Sequence, residues 1–357
     1  MFSCKGYESG SKVLYVSKAR AKCTVTHASE VFSMTLRTYV IRRLILIIPT
    51  FFLVSIIIFV LIHLAPGDPV RAMFVGRPVS PEVVDRIRHE LGIDQPIYTQ
   101  YLLWLGRLLR ADFGYSYIYR RPVVDLVGER IPLTLELMLI ANGVSLVVAV
   151  FLGVLAAVKQ YSITDVLSSL AALIGYSIPN FWIALLAMAF LSVQLGIFPV
   201  SGVQTMGMKF ASPFHALYDH LLHLVLPTSI LVLGWTAYLF RIVRSAMLDV
   251  LMQDYIVTAR AKGLRERIVI YKHALRNVML PVVTYTGYSI GYLLAGAAVI
   301  EYIFSWPGLG QFWVSSAAQR DYPTLMGISV ITALMVLVAN LCTDVAYALV
   351  DPRIRYD

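Results

Sequence analysis

Four cations crowd a single glycine in this chain: Arg260, Lys262, Arg265 and Arg267 all stand within four residues of Gly263. Ahead of them, Leu248, Leu251, Met252, Tyr255, Ile256 and Ala259 recur at helical spacing. The glycine then stops that helix where a left-handed residue is needed. This pattern predicts a short helix, a turn and a second basic helix across about 247–281, held between two apolar runs. Its chemistry is docking, with Thr258, Ala259, Arg260, Ala261, Lys262, Gly263, Leu264, Arg265, Glu266 and Arg267 as the expected contact surface for a cytosolic partner. Anionic lipid headgroups would also attract such a loop, by about 1 kcal/mol per basic residue. Lipid attraction alone does not require a glycine break between two helices, so a protein partner is the stronger expectation.

Catalytic chemistry has no comparable pattern. No clustered His/Glu or Ser/Lys constellation is visible, and no catalytic residue is assigned. Cys4, Cys23 and Cys342 have neither metal-ligand spacing nor a disulfide framework, and neither metal nor cofactor is expected. Ionisable groups near apolar runs are functional candidates by default. His63, Glu136, Glu301 and Asp344 fall toward the ends of such runs, where they are expected to anchor and to reach water. Asn142 and Asn340 lie deeper; together with Ser177, Asn180 and Tyr288 they are the candidates for lining a pathway. Gly287, Gly291 and Ala295 repeat every four residues, as small residues do at close helix contacts in lipid. The glycines of WPGLG, Gly308 and Gly310, are expected in a tight turn and not in a phosphate loop.

The elements that position these residues follow from composition. Of 357 residues, 58% are hydrophobic and 14% charged, and mean hydropathy is +0.73. Soluble domains carry about a quarter charged residues, so the chain is read as an all-α polytopic membrane protein. The net charge of +9 is not arranged as a basic stripe with interleaved aromatics, so nucleic acid is not an expected partner. Six apolar runs are long enough to cross a bilayer: about Leu44 to Leu64, Leu133 to Val158, Val166 to Phe198, Leu224 to Ile242, Val278 to Phe304 and Leu325 to Val350. The third is too long for one straight helix and carries Pro179, which predicts a kink or break near Ser177 to Asn180.

Arg37, Arg42, Arg43, Lys159, the 247–281 segment, Arg353 and Arg355 all fall on one side of a six-span chain. The positive-inside bias makes that side cytosolic, with both termini there. Residues 1–33 read as a disordered or misannotated tail, with Met34 as a plausible start. The divisions expected are 34–64 for the N-terminal segment and first span, 65–132 for a small external domain, and 133–357 for the transmembrane core.

In one order along the chain stand LAPGDP (64–69), LGIDQPIYTQYLLWLGRLLRADFGYS (91–116), PVVDLVGERIPLTLEL (122–137), SIPNFW (177–182), TARAKGL (258–264), HALRN (273–277), FSWPGLG (304–310), RDYP (320–323) and DPRIRY (351–356). With these motifs, the chain after Met34 resembles the permease subunits of ABC importers in the dipeptide/oligopeptide/nickel group, the first of their two permeases. The resemblance implies a type I ABC importer transmembrane domain forming half of a pore. It implies as partners a homologous second permease, two P-loop ATPase subunits, an external substrate-binding protein and membrane lipid. In that family the loop between the fourth and fifth spans is the EAA loop, whose coupling helix docks on the ATPase. The matching positions here are Val257, Thr258 and Ala259, with Gly263 as the glycine and Val278 to Pro281 as the end of the motif; the first two letters are lost. No G-x-x-x-x-G-K-[ST] occurs in the chain, so hydrolysis is expected of the partners. Peptides are the expected cargo, with oligosaccharides and nickel complexes as alternatives. An ion-coupled secondary transporter would need carboxylates at the midplane, and those here are peripheral.

Overall fold

The computed structural model describes residues 36–64, 70, 74, 79–208, 210–295 and 297–350. The 1–33 tail, most of LAPGDP and the DPRIRY end lie outside the described residues. Among those described, the chain is helical and contains no strand, only an isolated bridge between Tyr115 and Pro122.

Helix α1 (Leu36–Leu64) is apolar on nearly every side and exposes Ile45, Leu53, Leu61 and Leu64, the pattern of a helix surrounded by lipid. Two amphipathic helices follow. α2 (Pro81–Leu91) starts with proline in its first turn, where the missing N–H is no loss, and ends on left-handed Gly92. α3 (Ile97–Leu108) leads to the DFGYS loop. α4 (Val123–Val158) is a continuous 36-residue helix that already begins at Val123 and not at Leu133. Position 132 therefore lies inside it, because Pro132 is accommodated without ending the helix.

α5 (Ile163–Ser177) is capped by Ser162, whose hydroxyl accepts from the Asp165 N–H. It ends where Pro179 forces Ile178 into extended backbone. α6 (Asn180–Ala187) restarts at once and runs into a π-helical turn, Met188–Gln194, with the two arms bent by 97°. The predicted break at Ser177 to Asn180 is thus a sharp corner.

α7 (Pro213–Leu251) has 39 residues, about 58 Å at 1.5 Å per residue, so it outruns a hydrocarbon core of roughly 30 Å. α8 (Asp254–Ala261) and a turn, Glu266–Ile268, form an elbow, and a π-helical turn, Val269–Ala274, feeds α9 (Leu275–Ala295). The chain closes with α10 (Ala298–Ile303), α11 (Leu309–Ala318) and α12 (Tyr322–Val350). The fifth predicted run does not reach Phe304 as one helix; α9 ends at Ala295 and α10 is separate.

Four of the described helices are long and apolar enough to cross a membrane, and the bent pair α5–α6 makes a fifth such unit. α4 and α7 form the spine. Gly153 lets them touch, since a Cβ there would collide with Val243. At one end Leu137, Leu224, Leu231, Ile300, Phe304 and Trp306 pack together. At the other, Val154, Val243 and Met247 meet Ile256, Val269 and Ala274 of the elbow.

Candidate functional site: the basic elbow

The elbow is built by two backbone breaks. The helical register read from Leu248 to Ala259 is not continuous: α7 stops at Leu251, Gln253 is extended (φ −75°, ψ 146°), and α8 starts at Asp254. Asp254 places its charge in the first turn of α8, where the helix dipole favours an anion. Met252 and Tyr255 consequently point outward, while Ile256 and Ala259 are buried.

The second break is Gly263, at φ +74°. Its N–H reaches the Arg260 carbonyl at 2.9 Å, and the Leu264 N–H reaches the Ala259 carbonyl at 3.4 Å. Nothing lies within 4 Å of where a Cβ would stand. Glycine is needed there for its backbone conformation and not for space.

The two breaks divide the elbow into a back and a front. Ile256, Ala259, Val269, Ile270 and Ala274 sink into the apolar cluster between α4 and α7. Thr258, Arg260, Ala261, Lys262, Gly263, Leu264, Arg265, Glu266 and Arg267 are all exposed. Ala259, expected on the contact surface, instead belongs to the back at 8% exposure. Arg260 is exposed on the front and is paired there. Its Nε and Nη2 donate to the two Glu266 carboxylate oxygens at 3.3 and 2.7 Å, bridging the Gly263 turn. The guanidinium holds the Glu266 carboxyl below the usual carboxylate range, and the carboxylate raises Arg260 in return. The Asn277 amide donates to Tyr255 Oη at 2.6 Å and ties α8 to α9. The result is an apolar-backed knob with a polar face, fit for contact.

The pathway candidates fall on separate elements. The Asn142 amide on α4 donates to Ser289 Oγ on α9 at 3.0 Å, which makes it an interhelical bond. Ser177 is exposed at the α5–α6 corner, and Asn180 fits against Gly234 of α7, where a Cβ would press on its amide. Asn340 is exposed on α12. Tyr288 is on α9, and its side chain lies outside the described ones.

At the opposite end of the spine, the sequence reading missed a polar clamp. Glu301, expected to reach water, is 0% exposed. Its carboxyl accepts from Thr134 Oγ1 at 3.1 Å and from the Gln311 N–H at 3.0 Å. Thr134 in turn accepts from the Leu309 N–H, and Trp306 Nε1 donates to the Leu133 carbonyl. Gly308 is the residue that lets the WPGLG turn approach: a Cβ would fall on the Thr134 hydroxyl and the Glu301 carboxyl. After α11, Asp321 is buried and accepts from Ser116 Oγ, the Tyr117 N–H and Thr324 Oγ1. The only sequence signal was the density of glycine and tryptophan around residue 306.

Several known proteins resemble this chain. A solved structure of the inward-facing MetNI methionine ABC transporter aligns at a TM-score of 0.48 and 18% identity, covering 64% of this chain and 97% of that one. The oligopeptide transport system permease protein AppB of Bacillus subtilis is 44% identical over 319 residues, 89% of this chain and 99% of that protein. The dipeptide transport system permease protein DppB of Escherichia coli is 41% identical over 335 residues, 89% of this chain and 98% of that protein. A putative peptide permease of Brucella ovis is 40% identical over 319 residues, 89% and 98% of the two chains. Residues 36–138 match the N-terminal part of binding-protein-dependent transport system membrane components. Residues 149–356 match the binding-protein-dependent transport system inner membrane component, and the chain, a multi-pass membrane protein, belongs to that family.

Proposed function

We propose that this chain is one half of the transmembrane pore of an ATP-driven importer for peptides delivered by an external binding protein. Its elbow is the surface on which a P-loop ATPase acts. The observation that carries the reading is the elbow itself, an exposed face of Thr258 and residues 260–267 whose back is locked into the α4–α7 core. A load applied to such a knob passes directly into two long helices, which is what a subunit driven from outside requires. The cargo class rests on the relatives, which are named for oligopeptide and dipeptide transport.

In this reading a homologous second permease completes the pore and two ATPase subunits grip the two elbows. The chain crosses six times, with α9 counted as a crossing, and both termini are cytosolic. Closure of the ATPases on ATP moves the elbows and switches access. Shifting a two-state element from 1:99 to 99:1 needs about 5.5 kcal/mol of differential binding, within reach of such closure.

The test is reconstitution of the chain with its second permease, ATPase pair and binding protein in liposomes. ATP-dependent uptake of a labelled peptide is expected, together with crosslinking of a cysteine at Lys262 to the ATPase. Uptake of an oligosaccharide or nickel complex in place of peptide would overturn the cargo assignment. Failure of Lys262→Cys to crosslink in an active complex would overturn the elbow assignment.

A further inference from the structure

A cavity of about 870 Å³ opens between α5 and α7, on the half of the bundle nearest the elbow. Its wall includes Ser169, Tyr176, Tyr238, Arg241, Ser245 and Asp249. Tyr176 and Tyr238 are 59% and 42% exposed, and Arg241 is exposed as well. Tyr238 is backed by Tyr285 of α9, with ring centroids 4.9 Å apart.

The direction of Arg241 decides what this wall faces. Asp165 and Arg244 mark the elbow end, joined by a two-pronged ion pair at 2.6 and 2.9 Å. Farther in, Gly175 packs on Leu233. Tyr176 lies thirteen residues into α5, about 20 Å along the helix from Ile163. The Arg241 guanidinium stands 6.0 Å from the Tyr176 ring centroid, so it extends into the depth of the bundle and away from the elbow. Helix geometry agrees: side chains tilt toward a helix N-terminus, and the N-terminus of α7 is at the far end. Arg241 is therefore not snorkelling to headgroups on the elbow side. Among the described residues, it has no carboxylate within ion-pair distance, unlike Arg244. A cation turned inward and exposed is costly against lipid and is found where a water-filled space or a partner receives it.

Resting on the importer reading above, we propose that this wall is a section of the aqueous pathway. Arg241, flanked by the rings of Tyr176 and Tyr238, takes the carboxylate of the passing substrate. A guanidinium matches a carboxylate with two parallel hydrogen bonds, and the tyrosine faces accept peptide side chains without demanding a sequence. A conduit needs such a site to be weak enough to release, which an open wall satisfies when its second cation, Arg244, is already held by Asp165. Asp249 lies on the same wall nearer the elbow.

The test uses the assembled, reconstituted complex with Cys4, Cys23 and Cys342 replaced by serine. Single variants Arg241→Cys and Tyr238→Cys are exposed to a charged, membrane-impermeant thiol reagent, with Phe151→Cys, on a 64% exposed apolar position, as the lipid-facing control. Labelling at 241 and 238 is expected to exceed that at 151 by about tenfold or more and to change with bound nucleotide. Absence of labelling at 241 in every nucleotide state would overturn the proposal, by showing that the second permease or lipid covers the wall. Arg241→Gln should then lower uptake of a free-acid peptide about tenfold relative to its C-terminal amide, with Arg241→Lys restoring part of the difference. Equal losses for acid and amide would overturn the carboxylate site. If the complex without substitutions at this wall imports no peptide while Arg241→Cys is labelled, the cargo reading fails and the pathway wall stands.

Discussion

The two ends of the α4–α7 spine treat polar groups in opposite ways. At the far end, Glu301, Thr134 and Asp321 are fully or almost fully buried, and backbone N–H groups or hydroxyls satisfy each of them. At the elbow, nine of the ten residues from Thr258 to Arg267 are exposed, with one salt bridge between two solvent-facing side chains. Buried polar networks fix a single arrangement, because any slip leaves desolvated groups unpaired. Exposed ones fix little and remain available. The far end is thus built to hold its shape from within, and the elbow to be held from outside.

The largest expected effect breaks the far end. Glu301→Leu strips the acceptor from Thr134 Oγ1 and the Gln311 N–H at a fully buried position. A loss of about 3 kcal/mol is expected, read as a lower melting temperature of the purified complex. Arg265→Ala with Arg267→Ala, at exposed elbow positions, should leave that temperature almost unchanged, within about 0.5 kcal/mol, while reducing ATPase stimulation by the loaded binding protein. Equal destabilisation by the two variants would erase the contrast.

Glycine sharpens the same comparison at intermediate size. Gly308→Ala drives a methyl group into Thr134 and Glu301, and about 1–3 kcal/mol of overpacking is expected. Gly263→Val meets no neighbour; its cost is backbone strain at φ +74°, about 1–2 kcal/mol, and confined to the elbow. The first should lower the melting temperature with coupling intact in whatever folds. The second should leave the fold standing and separate hydrolysis from uptake. Normal coupling in Gly263→Val would remove the elbow's mechanical role.

What was legible in the sequence was what depends on neighbours along the chain. Pro179 announced the corner after Ser177, and Gly263 announced a left-handed stop. Five of the six long apolar runs announced a helix or bent pair among the described residues that can cross a membrane, and the run from Val278 to Phe304 did not. What was not legible depends on partners far away or out of helical register. Thr134 and Glu301 are 167 residues apart, and Asn142 and Ser289 are 147 apart. No local pattern distinguishes a carboxyl that will meet backbone N–H groups from one that will reach water. The Arg260–Glu266 pair spans six residues across a turn, where the three- and four-residue spacing of helical pairs does not apply. The break at Met252 and Gln253 escaped for a related reason, since the apolar residues on its two sides stay in phase while the backbone does not.

The smallest effect tests whether the elbow has any rigidity of its own. Arg260 and Glu266 face each other at 2.7 Å with side chains 44% and 53% exposed, so solvent screening limits their contribution to below about 1 kcal/mol. Because Arg260 depresses the Glu266 carboxyl below its ordinary value of 4.5, the stabilisation is fully present above that pH and is lost as pH falls through the lower folded value. Amide hydrogen exchange at Gly263 and Leu264, whose N–H groups close the turn, should report it, with protection at neutral pH reduced two- to threefold in Glu266→Gln, on the order of 0.5 kcal/mol. The variant should also lose the acid dependence of that protection. Raising salt should weaken the wild-type protection toward the variant's, as expected for an exposed pair. If exchange at the turn is already unprotected in the wild type and indifferent to Glu266, the elbow takes its shape only from its buried back and from the partner that grips it, and the contrast with the far end is sharper than the pair implies.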